Sequence, residues 1–180
     1  LGSDIEDIGG GIDFSGTGGT ISAETDNMDG GRGDVIRYDS PIFNGFQGRI
    51  SAAQGGDIDL AVFYDGRYDA LAIKGALGYT QNNDVAQTDT LPGDNSIEST
   101  IVGSVSVKHD NGLGGTLAYG TQQLSDEAAS ADKPTFMYAK VGYTWDAFEV
   151  AADYSTHKDI DLADADKTEV KYMGVAGQYN

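Results

Sequence analysis

The stretch FMYAKVGYTWDAFEVAADY, residues 136–154, constrains the fold more than any other part of the chain. Ahead of Asp146, Met137, Ala139, Val141, Tyr143 and Trp145 fall on one face of an extended chain, and Tyr138, Lys140, Gly142 and Thr144 on the other. Behind it, Phe148, Val150, Ala152 and Tyr154 share a face opposite Glu149, Ala151, Asp153 and Ser155. A side-chain period of two is the repeat of a β-strand, and it is kept where the two faces meet unlike surroundings. Trp145-Asp146-Ala147 reads as the tight turn between two such strands. Aromatics gather on the apolar face beside that turn, while the polar face carries charges of both signs. A soluble sheet can have one buried and one wet face. Repetition of the whole pattern down the chain points instead to the wall of a membrane barrel.

The totals narrow the classes further. A net charge of −18 opposes nucleic-acid binding, which needs a basic footprint. Ten tyrosines and sustained alternation separate the chain from a disordered acidic tail. No run approaches the roughly 20 apolar residues of a membrane-spanning helix, whereas alternation hides a barrel strand from any hydropathy window. There is no cysteine, so disulfides and thiolate metal sites are excluded.

Residues 1–34 are rich in glycine and aspartate and keep no period, as a long functional loop would. The fragment GGGIDF resembles a calcium-binding nonapeptide, but that motif works in tandem arrays and here stands alone. Asp26, Asp29 and Asp34 lack the spacing and closing glutamate of an EF-hand. No metal or cofactor site is expected.

From Val35 the chain becomes a meander. Tyr38 alternates with Arg37, and Phe46, Gly48 and Ile50 with Gln47, Arg49 and Ser51. Ile58, Leu60, Val62 and Tyr64 alternate with Asp59, Ala61 and Phe63, followed by an expected turn at Gly66-Arg67. Leu71 to Tyr79 and Ile101 to Val107 place Lys74 and Lys108 on the polar face. Asp110-Asn111-Gly112 is a hairpin signal because such residues accept positive φ. Leu113 to Gln122 follows, then the opening hairpin, then a final strand near 168–179 whose faces the pattern does not assign. Nine strands of roughly 8–11 residues match a tilted bilayer crossing. Tight turns near 43, 66, 111 and 146 oppose long acidic loops near 90, 128 and 162, and Gly55-Gly56 is a short exception. Phe43, Phe46, Tyr64, Tyr68, Tyr143, Trp145 and Phe148 sit beside the short turns, as an aromatic girdle would. The alternative is a secreted or surface adhesin, a soluble β-sandwich using its aspartate loops for calcium.

RYDSPIFNGF (37–46), SVSVKHDNGL (104–113), LAYG (117–120) and MYAKVGYTWDAFEVAADYS (137–155) together resemble the general porins of Gram-negative outer membranes. The resemblance implies an all-β, antiparallel, sixteen-stranded transmembrane barrel, assembled as a homotrimer among outer-membrane lipid and lipopolysaccharide. It implies passive diffusion of small hydrophilic solutes and ions. It also implies that residues 1–34 are the third loop, which folds into the lumen, with residues 35–180 forming barrel wall. Asp4, Glu6 and Asp7, with Asp13 as a further candidate, would then be constriction carboxylates. Arg37 sits where the family places a lumen-facing arginine. With Arg49, Lys74, Lys108 and Lys140 as basic wall residues, and Asp59, Glu149 and Asp153 as acidic ones, a transverse field would orient permeating solutes. The acidic excess predicts weak cation preference. Nine strands with open edges should not stand alone in a membrane, so the chain reads as an internal or C-terminal-half piece of a longer barrel.

An enzyme is not expected. His109 and His157 lie on different strands without a nucleophile-elbow or HExxH context.

Overall fold

Backbone groups of strands with one apolar face must be satisfied by neighbouring strands. A computed structural model describes residues 34–53, 56–82, 97–124, 133–159 and 169–179, which all fall in the unit Gly33–Asn180. They form β1 (Val35–Asp39), β2 (Phe46–Ala53), β3 (Ile58–Tyr68), β4 (Leu71–Gln81), β5 (Ile97–His109), β6 (Leu113–Leu124), β7 (Thr135–Trp145), β8 (Phe148–Lys158) and β9 (Glu169–Tyr179). The nine make one sheet in sequence order, each strand antiparallel to the next. This is an all-β meander in one layer, and the described residues form no two-layer sandwich.

The register carries the geometry of a barrel. Starting at Phe46, first in β2, directly opposed residues run through Tyr64, Gly75, Val105 and Leu117 to Ala139 in β7. Ala139 lies six residues short of Trp145, where β7 reaches its own tight turn. Six residues are about 20 Å of strand, and five inter-strand steps are about 24 Å. With the turns at one rim, the mean strand tilt is therefore about 40°, inside the range of membrane barrels. An 11-residue strand at that tilt rises about 28 Å, enough for an apolar band of about 25 Å.

No Val, Ile, Leu, Met, Phe, Tyr or Trp side chain is buried among the described residues. The apolar residues are held out on one face: Leu77 and Leu117 are each 60% exposed, and Val175 is 88% exposed. A water-soluble fold would cover such a surface. The alternating exposure of β6 and β8 follows the sequence period.

Two expectations change. Gly66 and Arg67 are not a turn; β3 runs on to Tyr68, and the turn is Asp69-Ala70, with Asp69 at φ +51°. Gly66 sits in the strand because the Tyr64 ring lies over it: a Cβ there would come within 2.6 Å of Tyr64 Cζ. Asn44 and Asp146 hold the same left-handed region, which short polar side chains tolerate. In the third turn only Gly112 has positive φ (+94°), and its amide donates to His109 O at 3.0 Å.

The unassigned last strand is the second change. Pairing with β8 sets Met173, Val175, Gly177 and Tyr179 on the apolar face and Tyr172, Gly174, Ala176 and Gln178 on the polar one. The acidic stretches at 83–96, 125–132 and 160–168 lie outside the described residues.

Candidate pore wall

Residues opposed across a sheet share a face, so the register assembles the polar wall row by row. One row runs Asp65, Lys74, Ser106, Thr116, Lys140 and Asp153, one residue from each of β3 to β8. Within it Lys74 Nζ is 3.1 Å from Asp65 Oδ2, and the hydroxyls of Ser106 and Thr116 are 2.8 Å apart. Lys140 stands directly opposite Asp153. Opposite charges and paired hydroxyls across adjacent strands stabilise the sheet while keeping its face wettable.

Nearer the tight turns, Lys108 is opposed to Ala72 and Gly114, and Glu149 to Thr144. Arg67 pairs with Asp110. Among the described residues no ion pair is formed by Lys108 or Lys140.

At the β1–β2 end, two arginines converge on one carboxylate. Arg37 Nε is 3.1 Å and Arg49 Nε 3.5 Å from Asp39 Oδ1. The Arg49 guanidinium also lies 4.3 Å over the Phe63 ring, and its Nη2 donates to Gln47 Oε1 at 3.3 Å. Asp59 accepts from Ser51 Oγ at 2.9 Å. The eight wall residues expected from sequence therefore share one face. Three of the five basic ones, Arg37, Arg49 and Lys74, are matched locally by Asp39 and Asp65, which sequence reasoning did not single out. Parity alone would have found Asp65 had the turn been placed at Asp69-Ala70, because Asp65 is two residues beyond Phe63. Asp4, Glu6, Asp7 and Asp13 lie outside the described residues.

The opposite face carries the aromatics that gather at the tight turns. Tyr143, Trp145, Phe148 and Tyr179 form a continuous chain with ring centroids 5.7, 5.7 and 5.0 Å apart. Phe46 packs on Tyr64 at 4.7 Å. Tyr64 lies four residues from the end of β3, so it meets the rim through Phe46. Phe43 joins it through paired backbone hydrogen bonds to Phe46, both 2.9 Å. Tyr68, 76% exposed, ends β3 itself. Tyr179 extends this belt, hidden from sequence reading by the irregular alternation of β9. Between the strands above it, Leu113, Val141, Tyr143, Val150, Ala152 and Val175 line an apolar groove of about 280 Å³.

The same face ends in charge. Lys158, Glu169 and Lys171 have the parity of the apolar residues: Lys171 Nζ is 2.9 Å and Lys158 Nζ 3.6 Å from the Glu169 carboxylate, to which Thr156 Oγ1 donates at 3.4 Å. Lys158 is ten residues from Phe148 in β8, or about 25 Å along the barrel axis at a 40° tilt. An apolar band bounded by aromatics at one rim and by charge at the other has the height of a bilayer core.

Both histidines make local contacts within the sheet and its turns. His109 Nδ1 accepts the Asn111 amide at 3.0 Å and so closes a turn. His157, 4% exposed, packs between Phe136 and Tyr172 with ring centroids 4.8 and 5.8 Å away. Among the described residues no three His, Cys, Asp or Glu side chains are grouped to hold a metal.

No curated protein and no solved structure was found to match the chain. A family model described as Gram-negative porin, however, matches residues 2–180, nearly the whole chain. One antiparallel sheet, apolar on one side and charged on the other, is what such a family requires of its wall, and the chain belongs to the Gram-negative porins.

Proposed function

We propose that the chain forms part of a water-filled outer-membrane channel through which small hydrophilic solutes and ions diffuse passively, with weak preference for cations. The observation that carries this reading is the two-sided sheet: among the described residues no Val, Ile, Leu, Met, Phe, Tyr or Trp side chain is buried, and the charges from Arg37 to Asp153 line the face away from the exposed aliphatic one. The preference rests on charge balance, since 29 acidic residues face 11 basic ones. Acidic groups near a pore raise the local concentration of cations over anions.

The family supports a trimer within outer-membrane lipid, and the Lys158–Glu169–Lys171 cluster supports contact with lipopolysaccharide headgroups. Residues 1–34, with Asp4, Glu6, Asp7 and Asp13, are proposed as the constriction loop because the general porins carry theirs just ahead of the Arg-Tyr strand. Arg37 and Arg49 are the basic wall groups nearest to that loop in sequence.

The test is a single-channel recording of the porin containing this chain in a KCl gradient. A small reversal potential of the sign that marks potassium permeation is expected. Anion preference would overturn the selectivity, and absence of any conductance would overturn the channel.

A further inference from the structure

The polar face is not uniformly matched in charge. Between β4 and β8, on the half of the wall nearest the tight turns, lies a recess of about 350 Å³. Gly114 and Gly142 are opposed to each other and form its floor, so two neighbouring strands present no side chain there. Lys74, Lys108 and Lys140 stand around that floor. Lys74 is paired with Asp65 and Lys140 faces Asp153 across the strand pair, whereas Lys108 is opposed only by Ala72 and Gly114. Ser106 and Thr116, their hydroxyls already 2.8 Å apart, supply further donors on the same floor. Glu149 is the carboxylate that lines it.

We propose that this recess is a subsite for small oxyanions in transit, of the phosphate and carboxylate class, held between the Lys108 and Lys140 ammonium groups above the glycine floor. The inference rests on the channel reading and specifies one solute class for it. Three reasons support it. Lysine arms reach about 6 Å, so Lys108 and Lys140, whose stems are set two strands and two residues apart, about 12 Å, can bring their heads together on an ion between them. Glycines keep the floor low, so the ion leaves the axis of the channel instead of blocking it. The donors are point charges on flexible stems, which favours loose, exchanging contact over a rigid bidentate clamp. Such a site gives anions a foothold inside a wall whose total charge disfavours them, and weak binding is what conduction through a site requires.

The experiment uses the porin containing this chain in planar bilayers, with inorganic phosphate added to KCl at constant ionic strength. A saturable fall in chloride current is expected. Lys108→Gln and Lys140→Gln should each weaken the apparent phosphate affinity about tenfold, the scale of one charge-assisted hydrogen bond. Gly114→Asp should abolish it: a Cβ there meets nothing closer than Val107 O at 3.5 Å, so the new carboxylate is accommodated and cancels the field. Lys158→Gln, on the apolar face, should leave the phosphate response unchanged. A response that does not saturate, or that survives both lysine substitutions and Gly114→Asp, overturns the subsite while leaving the channel intact. A protein that passes no current overturns the channel; equilibrium dialysis of phosphate against the detergent-solubilised protein and the same variants then decides the recess alone.

Discussion

Leu117→Arg tests the assignment of faces. Leu117 is 60% exposed and lies four residues into β6, about 10 Å above the turn rim at a 40° tilt and so within a few ångströms of the middle of a 25 Å band. Arginine on the lipid face at that depth costs about 2–4 kcal/mol, a roughly 30- to 700-fold shift of the folding equilibrium. Ala118, its neighbour in the same strand, points to the polar wall opposite Ser104 and Tyr138. Ala118→Arg should cost less than about 1 kcal/mol, because its guanidinium stays in water. Leu113→Arg has the parity of Leu117 but sits at the first residue of β6, where a long side chain reaches the interface, and about 0–1 kcal/mol is expected. The assay is reversible denaturant unfolding of the full-length porin in phospholipid vesicles. The order Leu117 above Leu113 and Ala118 is the expected result. Equal costs at 117 and 118 would refute a two-sided wall, and a larger cost at 118 would mean that the faces are inverted.

Other expectations follow from single contacts. Gly112→Ala must place a Cβ against the Thr144 carbonyl oxygen while holding φ at +94°, so a loss of about 1–3 kcal/mol is expected in the same unfolding assay. Gly114→Ala, whose Cβ would meet nothing closer than Val107 O at 3.5 Å, should change stability by well under that. In a background where Trp145 is the only tryptophan, brominated lipids should quench it most when bromine sits near the headgroups; maximal quenching by bromine at the chain ends would remove Trp145 from the girdle. Arg49→Ala removes one of two cations from Asp39 and uncovers Phe63. It should raise cation selectivity in a KCl gradient, and an unchanged reversal potential would place Arg49 away from the permeation path.

The faces of β2 to β8 were legible because their composition obeys the pleat: where lipid meets one side and water the other, each alternate position is fixed by solvent. β9 was not legible for the same reason turned round. Near its start the apolar-face positions leave the hydrocarbon, so Glu169 and Lys171 break the period, while Val170, Tyr172 and Ala176 place apolar residues on the polar side. Only hydrogen-bonded register with β8 resolves it. The turn at Gly66-Arg67 failed differently. Glycine followed by a charge is a turn signal when read alone, yet here the glycine makes room for the Tyr64 ring two residues back, and the charge meets Asp110, 43 residues away. Both facts depend on tertiary contact, which no local pattern encodes.

Local pairing also changes how the wall can act on a solute. Read as separate cations, Arg37 and Arg49 would contribute two positive charges; with both held by Asp39 within 3.5 Å, they contribute one. Lys74 is cancelled in the same way by Asp65. An ion pair seen from several ångströms behaves as a dipole, whose field falls faster than that of a charge, and it is further screened in the aqueous lumen with a Debye length of about 8 Å. The wall's long-range influence therefore comes from charges left unmatched, and among the described basic residues of the wall Lys108 and Lys140 are the ones without an ion pair. Selectivity should respond more to neutralising Lys108 than Lys74, although both were equivalent members of a basic wall when read from sequence. Measured in a KCl gradient, Lys108→Gln should shift the reversal potential further toward cations than Lys74→Gln. The reverse order would mean that the Asp65 pair opens in solution and that the wall acts through its total charge.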